Sequence, residues 1–290
     1  MVASMDARGA VMVNATQTRT IFDMAGFDGS GFSPNPGPGQ LDSDDVRLGG
    51  VSNGDMQFGD TQTSGDFARG SSSGGVITGG FYDFSPAVGD PMIGIQPTST
   101  DWNNSTSYID VLFENNSGRY ANNIVVEGEL WFLNNEDRSS HLRIQLTRNV
   151  TDPPQSIPST DFLAIGGVTS PDTATGGGWN STYFVRDHGF ILSEDWLAPG
   201  EQFIVRISGF DVGGSGSRDE FGFSDLSVII RNQSLPEPRT MGFLVLGVIG
   251  VRYARDRRRK YDYHEADELK RLNSIKAKVH RCSKSVNNNY

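Results

Sequence analysis

The chain is short of residues that fasten a fold covalently or hold a metal. It has one cysteine, Cys282, in 290 residues. A lone thiol closes no intramolecular disulfide, so packing must hold the fold, and a cysteine-based zinc site is excluded. So is a small disulfide-stapled module. Histidine is scarce too: His141, His188, His264 and His280 fit no His-Glu-x-x-His or other metal spacing and read as ordinary surface residues. Long runs of Ala, Leu, Glu and Lys are missing, which argues against a helical bundle. Positive charge is in deficit, with 25 Lys and Arg against 35 Asp and Glu, a net of −10. An acidic surface repels phosphate backbones and excludes nucleic acid as a partner. Long apolar runs are absent except for one near the C-terminus. At the N-terminus Ala10-Val11-Met12-Val13 falls short of the about 7–15 apolar residues of a Sec signal, so residues 1–16 are expected to be a poorly ordered leader without an evident signal peptide.

What the chain has is glycine, turns and alternation. It contains 35 Gly and 13 Pro, and its aromatic content of 10% is enough to build a core. Ile124 to Phe132 alternates with Val126, Gly128 and Leu130 on one face; His141 to Thr147 places Leu142, Ile144 and Leu146 together; Phe203, Val205 and Ile207 do the same. Ser107 to Phe113 and Leu226 to Ile230 are β-branched and aromatic. Turn clusters separate these runs at Gly70–Gly75, Asn134–Asp137, Gly176–Gly178 and Gly213–Gly216. About ten strands with turns between them predict an all-β, antiparallel β-sandwich or jelly roll over residues 17–231. Gly26 to Gly59, with Pro34, Pro36 and Pro38, reads as a long ordered loop or edge meander.

No catalytic constellation emerges. Gly70-Ser71-Ser72-Ser73-Gly74 matches a nucleophile elbow by letter, but it lies in Gly/Ser-rich sequence with the strand-like Val76-Ile77-Thr78 after it, where an elbow needs a helix. Asp219 and Glu220 are adjacent, so on a strand they face opposite ways and cannot flank one glycosidic bond. Trp102, Trp179 and Trp196 lie in polar loops, either stacking on sugar rings or capping the core as rim residues; Trp131 sits in a strand and is expected in the core.

The C-terminal region has a distinctive order. Leu235-Pro236-Glu237-Pro238 precedes an eleven-residue apolar run, Met241 to Val251, built on Met241, Phe243, Leu244, Val245, Leu246, Val248, Ile249 and Val251. A basic cluster follows: Arg252, Arg255, Arg257, Arg258, Arg259 and Lys260. As a helix the run spans roughly 16 Å, short of the about 30 Å hydrocarbon core. Residues 240–254 extend it, since Arg252 can reach the interface. Positive charge on the cytoplasmic side would leave the β-rich part outside. This order resembles the PEP-CTERM sorting signal of Gram-negative bacteria. The resemblance implies a sorting signal over 232–260 that contains a C-terminal membrane-type helix, transient residence in the inner membrane and cutting near Pro236-Glu237-Pro238 by an exosortase-type membrane transpeptidase. It further implies export to the cell envelope or extracellular matrix, where exopolysaccharide is a partner. Residues 261–290 read as a polar tail, helical or disordered.

Gly39 to Asp44, Gly65 to Gly70, Gly74 to Gly80 and Gly216 to Phe221 resemble a β-rich domain of large secreted bacterial proteins. That resemblance implies a lectin-like or carbohydrate-module-like jelly roll. Such modules hold a structural Ca²⁺ between first and last strands, a placement that Asp28 and Asp225 match with hard oxygen ligands; otherwise both are solvated turn aspartates. The function expected is that of an exported structural or adhesion protein, not an enzyme. A carbohydrate-binding module, and then a glycan hydrolase, are the alternatives.

Overall fold

The computed structural model describes residues 9–85, 91–103, 107–148, 163–189, 197–213 and 216–232. The chain divides into two units, Met1–Gln233 and Ser234–Tyr290, and all described residues belong to the first. The Pro-Glu-Pro element, the apolar run, the basic cluster, the tail and Trp196 lie outside the described residues. Among the described residues no helix is long and apolar enough to cross a membrane.

The described residues form fifteen strands and one 3-10 turn at Gly65–Phe67. In chain order they are β1 (Val11–Val13), β2 (Thr20–Ile21), β3 (Phe27–Ser33), β4 (Gly39–Asp42), β5 (Val46–Val51), β6 (Gly54–Met56), β7 (Gly80–Asp83) and β8 (Ile93–Gln96). There follow β9 (Tyr108–Asn115), β10 (Asn123–Leu133), β11 (Ser140–Thr147), β12 (Leu163–Thr169), β13 (Trp179–Gly189), β14 (Gln202–Asp211) and β15 (Glu220–Arg231). The larger sheet has the order β12-β11-β14-β9-β5-β6, with β1 alongside β9; the smaller is β13-β10-β15-β8-β7, with β2 alongside β15. Pairing is antiparallel throughout, except for β1 with β9 and a separate β3–β4 pair, which are parallel. From β9 onward the chain passes repeatedly from one sheet to the other, so neither sheet is a local hairpin stack.

The two sheets share one apolar core. Ile109, Val111 and Phe113 of β9, Leu142 and Ile144 of β11, and Val205 and Ile207 of β14 meet Ile124, Val126 and Leu130 of β10 and Phe221 and Phe223 of β15. This is the inward half of the alternation in the sequence, which an antiparallel sheet with one covered face requires. A chain of rings runs through the core. Phe32 meets Phe81 at 6.4 Å, Phe81 meets Trp102 edge-on at 6.0 Å, and Trp102 meets Phe221 at 5.7 Å. Each such ring, fully buried, contributes about 1.5–3 kcal/mol.

Three expectations need correction. Trp102 is not a surface ring: it is fully buried. Its backbone adopts a left-handed φ of 53°, its N–H donates to the Gly50 carbonyl at 2.6 Å, and its indole wedges between Phe81 and Phe221. No sugar ring can stack on it. Val46 to Val51 is a strand of the larger sheet, between β9 and the edge strand β6, so of the two alternatives for Gly26 to Gly59 the loop does not hold here. Val76-Ile77-Thr78 forms no strand. In addition β1, within the stretch read as a leader, pairs with Phe113–Asn115 of β9.

The buried Arg47 explains why β5 does not read as a strand. Register sets Arg47, Asp110 and Arg206 in a row across β5, β9 and β14. Asp110 Oδ2 accepts from Arg47 Nε at 2.9 Å; Arg206 grips both oxygens, at 2.6 and 2.7 Å. Arg47 and Asp110 are fully buried. The guanidiniums lie over the Phe58 and Tyr108 rings at 4.8 and 4.4 Å. Removing the shared carboxylate charge takes from both guanidiniums, one fully buried and one largely buried, the anion they hold in common. Asp110→Asn is expected to lower stability by about 3–5 kcal/mol. Asp211→Asn, which breaks the partly exposed pair with Arg138, should cost no more than about 1 kcal/mol. Urea midpoints of the two variants check this; equal shifts would contradict it.

Candidate functional site

The outward face of the smaller sheet gathers the aromatic and acidic residues that a binding surface needs. Directly opposed residues of antiparallel strands share a face. Register therefore places Trp131, Glu129 and Glu127 of β10 beside Ser181, Tyr183 and Val185 of β13, with Leu133 beside Trp179. On the other flank Glu129 faces Ser224, and Trp131 faces Gly222. Trp131 is half-buried on this outer face and not in the core, because it has the opposite parity to Val126 and Leu130. Trp179 is half-buried beside it, and Tyr183 is 56% exposed. The signal for Trp131 was present in the sequence, since odd positions of the strand face away from Val126, Gly128 and Leu130.

The rings are held from below by a small apolar cluster of Tyr82, Phe84 and Met92, against which Trp131, Trp179 and Val76 pack. Tyr82 and Phe84 stack at 4.9 Å, and Phe84 meets Trp179 at 5.2 Å. Both indole nitrogens are occupied: Trp131 Nε1–H donates to Ser224 Oγ and Trp179 Nε1–H to the Ser73 carbonyl, each at 2.9 Å. The ring planes are thereby fixed, and the faces and edges remain for contact. Gly94 makes the arrangement feasible. A Cβ there would fall 2.1 Å from the Phe84 ring.

A bulge shapes the surface next to Trp131. Glu127 pairs with Ser227 but Glu129 with Ser224, so Asp225 and Leu226 together oppose Gly128. Asp225 takes a left-handed φ of 52°, which Asp tolerates better than most residues, and the extra residue turns its side chain outward. A cavity of about 320 Å³ opens there, between the 21–26 segment and Glu129, Trp131, Ser224 and Asp225. Asp23 also lines it, its Oδ1 accepting the Ala25 N–H at 2.9 Å. Arg19 stands nearby, bonded to Ser227 Oγ at 2.8 Å and 3.4 Å from Glu127.

Asp28 does not join Asp225 at this cavity. Its carboxylate folds back on Ser30, accepting the backbone N–H at 3.0 Å and the hydroxyl. Among the described residues no group of three or more His, Cys, Asp or Glu is placed to hold a metal ion. Asp219 and Glu220 are both buried. Glu220 accepts the Gly75 and Val76 N–H groups at 2.8 and 2.6 Å, and Asp219 accepts the Glu136 N–H at 3.1 Å. Burial raises the pKa of both above the ordinary carboxylate range. Glu220 thus ties the 74–76 segment down beside the ring cluster. His188 lies on β13 opposite Ile124.

No protein-family model and no curated protein matches the chain. Among solved structures it is similar to a cleaved adhesin domain of Lys-gingipain from Porphyromonas gingivalis, at 8% identity over 48% of this chain and 74% of that one, TM-score 0.30. It is also similar to a xylan-binding domain from Paenibacillus barcinonensis, at 5% identity over 56% and 85%, TM-score 0.31. A third is a carbohydrate-binding module specific for non-crystalline cellulose, at 10% identity over 55% and 83%, TM-score 0.31. At TM-scores this low, the site is read from its own residues.

A double-mutant cycle tests the role assigned to Gly94. Gly94→Ala should lower stability by about 1–3 kcal/mol by overpacking. In a Phe84→Ala background, where the methyl has room, it should be nearly neutral. Equal costs in both backgrounds would show that the Phe84 ring does not set the requirement.

Proposed function

We propose that the β-sandwich is the binding part of an exported adhesion or matrix protein that holds a glycan on the outer face of its smaller sheet. The observation that carries this reading is the pair of fixed rings on that face, Trp131 and Trp179, with the exposed Tyr183 on the same face, beside a cavity edged by Glu129, Ser224 and Asp225. A sugar presents an apolar C–H face and a rim of hydroxyls. Ring planes suit the first and carboxylate and hydroxyl acceptors the second. A jelly-roll carbohydrate module is the finer architecture this reading favours. The other half of the reading rests on sequence. The order of Pro236-Glu237-Pro238, the apolar run and the arginine cluster supports a PEP-CTERM-type signal, with a membrane-type helix and an exosortase-type transpeptidase as partner. Under this reading the envelope or the matrix outside it is the final location.

Two measurements test the two halves separately. In a polysaccharide pull-down with the full chain, Trp131→Ala and Tyr183→Ala should each weaken retention about tenfold, the equivalent of ~1.4 kcal/mol. Tyr120→Ala, equally exposed at 56% but off this face, should not. Equal retention by all three variants would remove the glycan reading. Mass spectrometry of the mature C-terminus should find a cut near residues 236–238 only when the processing enzyme is present; an intact Tyr290 in both cases would remove the sorting reading.

A further inference from the structure

A second cavity, about 380 Å³, lies apart from the outer-face site, with Val76, Ile77, Pro97, Thr98, Arg138 and Arg218 in its wall. Arg218 is only 3% exposed. Its Nε–H donates to Ser140 Oγ at 3.2 Å and its Nη1–H to the Trp102 carbonyl. Both partners are neutral. Its Nη2 meets no acceptor among the described residues.

Neighbouring charges do not balance this guanidinium. Arg138 is closed by Asp211 in a two-point grip, Nε to Oδ1 at 3.0 Å and Nη2 to Oδ2. That pair is neutral as a unit. It holds the Asp211 carboxyl below its ordinary range and raises the Arg138 guanidinium. Asp219, the next residue in the chain, turns instead to the Glu136 N–H. The described wall of the cavity therefore carries one buried positive charge in excess. Burial pushes the Arg218 guanidinium down to about 10, so it remains charged at neutral pH. Asp211 attracts this guanidinium but is bonded to Arg138, which repels it; a cation taken out of water with neutral hydrogen-bond partners is held at a large desolvation cost, which a further counter-charge offsets. Nη2 is buried and unbonded, and a guanidinium with an unused N–H matches an oxyanion in shape and charge.

We propose that this cavity is an anion site that takes the carboxylate or sulfate of an acidic sugar, with Arg218 as its charge partner. Ile77, 86% exposed, stands in the wall and its side chain is free of the core. An anion entering here would complete the Arg218 fork, while Arg138 and Asp211 stay paired.

The proposal does not rest on the glycan reading of the outer face, because Trp131 and Tyr183 do not line this cavity. The test is thermal melting of the full chain titrated with sodium glucuronate and with sodium sulfate, against sodium chloride at matched ionic strength. A saturable rise in melting temperature with either oxyanion, beyond chloride, is expected. Response to glucuronate alone identifies a carboxylate site; response to both identifies a general oxyanion site. Arg218→Met should abolish the rise. Ile77→Asp, an exposed change that places a negative charge in the wall, should weaken the apparent affinity at least tenfold, and it carries the test if Arg218→Met fails to fold. A rise no larger than that in chloride, or one kept in Ile77→Asp and in any folded Arg218→Met, would overturn the proposal.

Discussion

Alternation along the middle of β10 underlies the rest of the molecule. Val126 and Leu130 point into the shared core, while Glu127, Glu129 and Trp131 point away from it. A slip of one residue against β15 or β13 would exchange these sets. Two carboxylates would then be buried without partners, and two core side chains would face water. The long ladders that β10 makes with β13 and β15 leave no such freedom. Gly128, opposite the bulge at Asp225, is required by its other neighbour: a Cβ there would fall 2.9 Å from the Phe184 ring of β13.

Two kinds of buried polar group sit in this frame, and they behave differently. Asp110 is gripped by arginines from two neighbouring strands, so the charge of the larger sheet's outer face is tied up in place. Such a cluster is weak as a source of net stability, but its geometry rejects other registers of β5 and β14. Arg218 has no such match among the described residues. One arginine serves the fold, and the other is left with unused bonding capacity.

Much of the fold was legible from alternation alone. β11 and the middle of β10 each bury one face, and their period of two is plain in Leu142 to Leu146 and Val126 to Leu130; β14 is buried on both faces, yet Phe203, Val205 and Ile207 still mark its core side. β13 was not legible, since it borders the smaller sheet and is exposed at most positions, so Asn180-Ser181-Thr182 shows no contrast between faces. β5 hid behind Arg47 and two glycines, because the partner that makes a buried arginine tolerable lies 63 residues away in Asp110. At the site, Trp179 stands on a strand where its polar surroundings suggest a loop, and Trp131 faces outward as its parity relative to Val126 and Leu130 indicates. Trp102 gave no periodic signal at all; one left-handed residue turns a polar loop inward, and nothing local records that.

Val76 links regions otherwise described apart. It packs on the ring cluster of the outer face and also forms part of the wall beside Arg218, while Glu220 pins its backbone. Any ligand that shifts this segment on one side alters the surface offered on the other. Thermodynamic reciprocity then fixes the relation: whatever factor the first occupant imposes on the second, the second returns to the first. A single half-buried valine would thus give the sandwich a means of sensing whether both proposed sites are engaged with the same polymer.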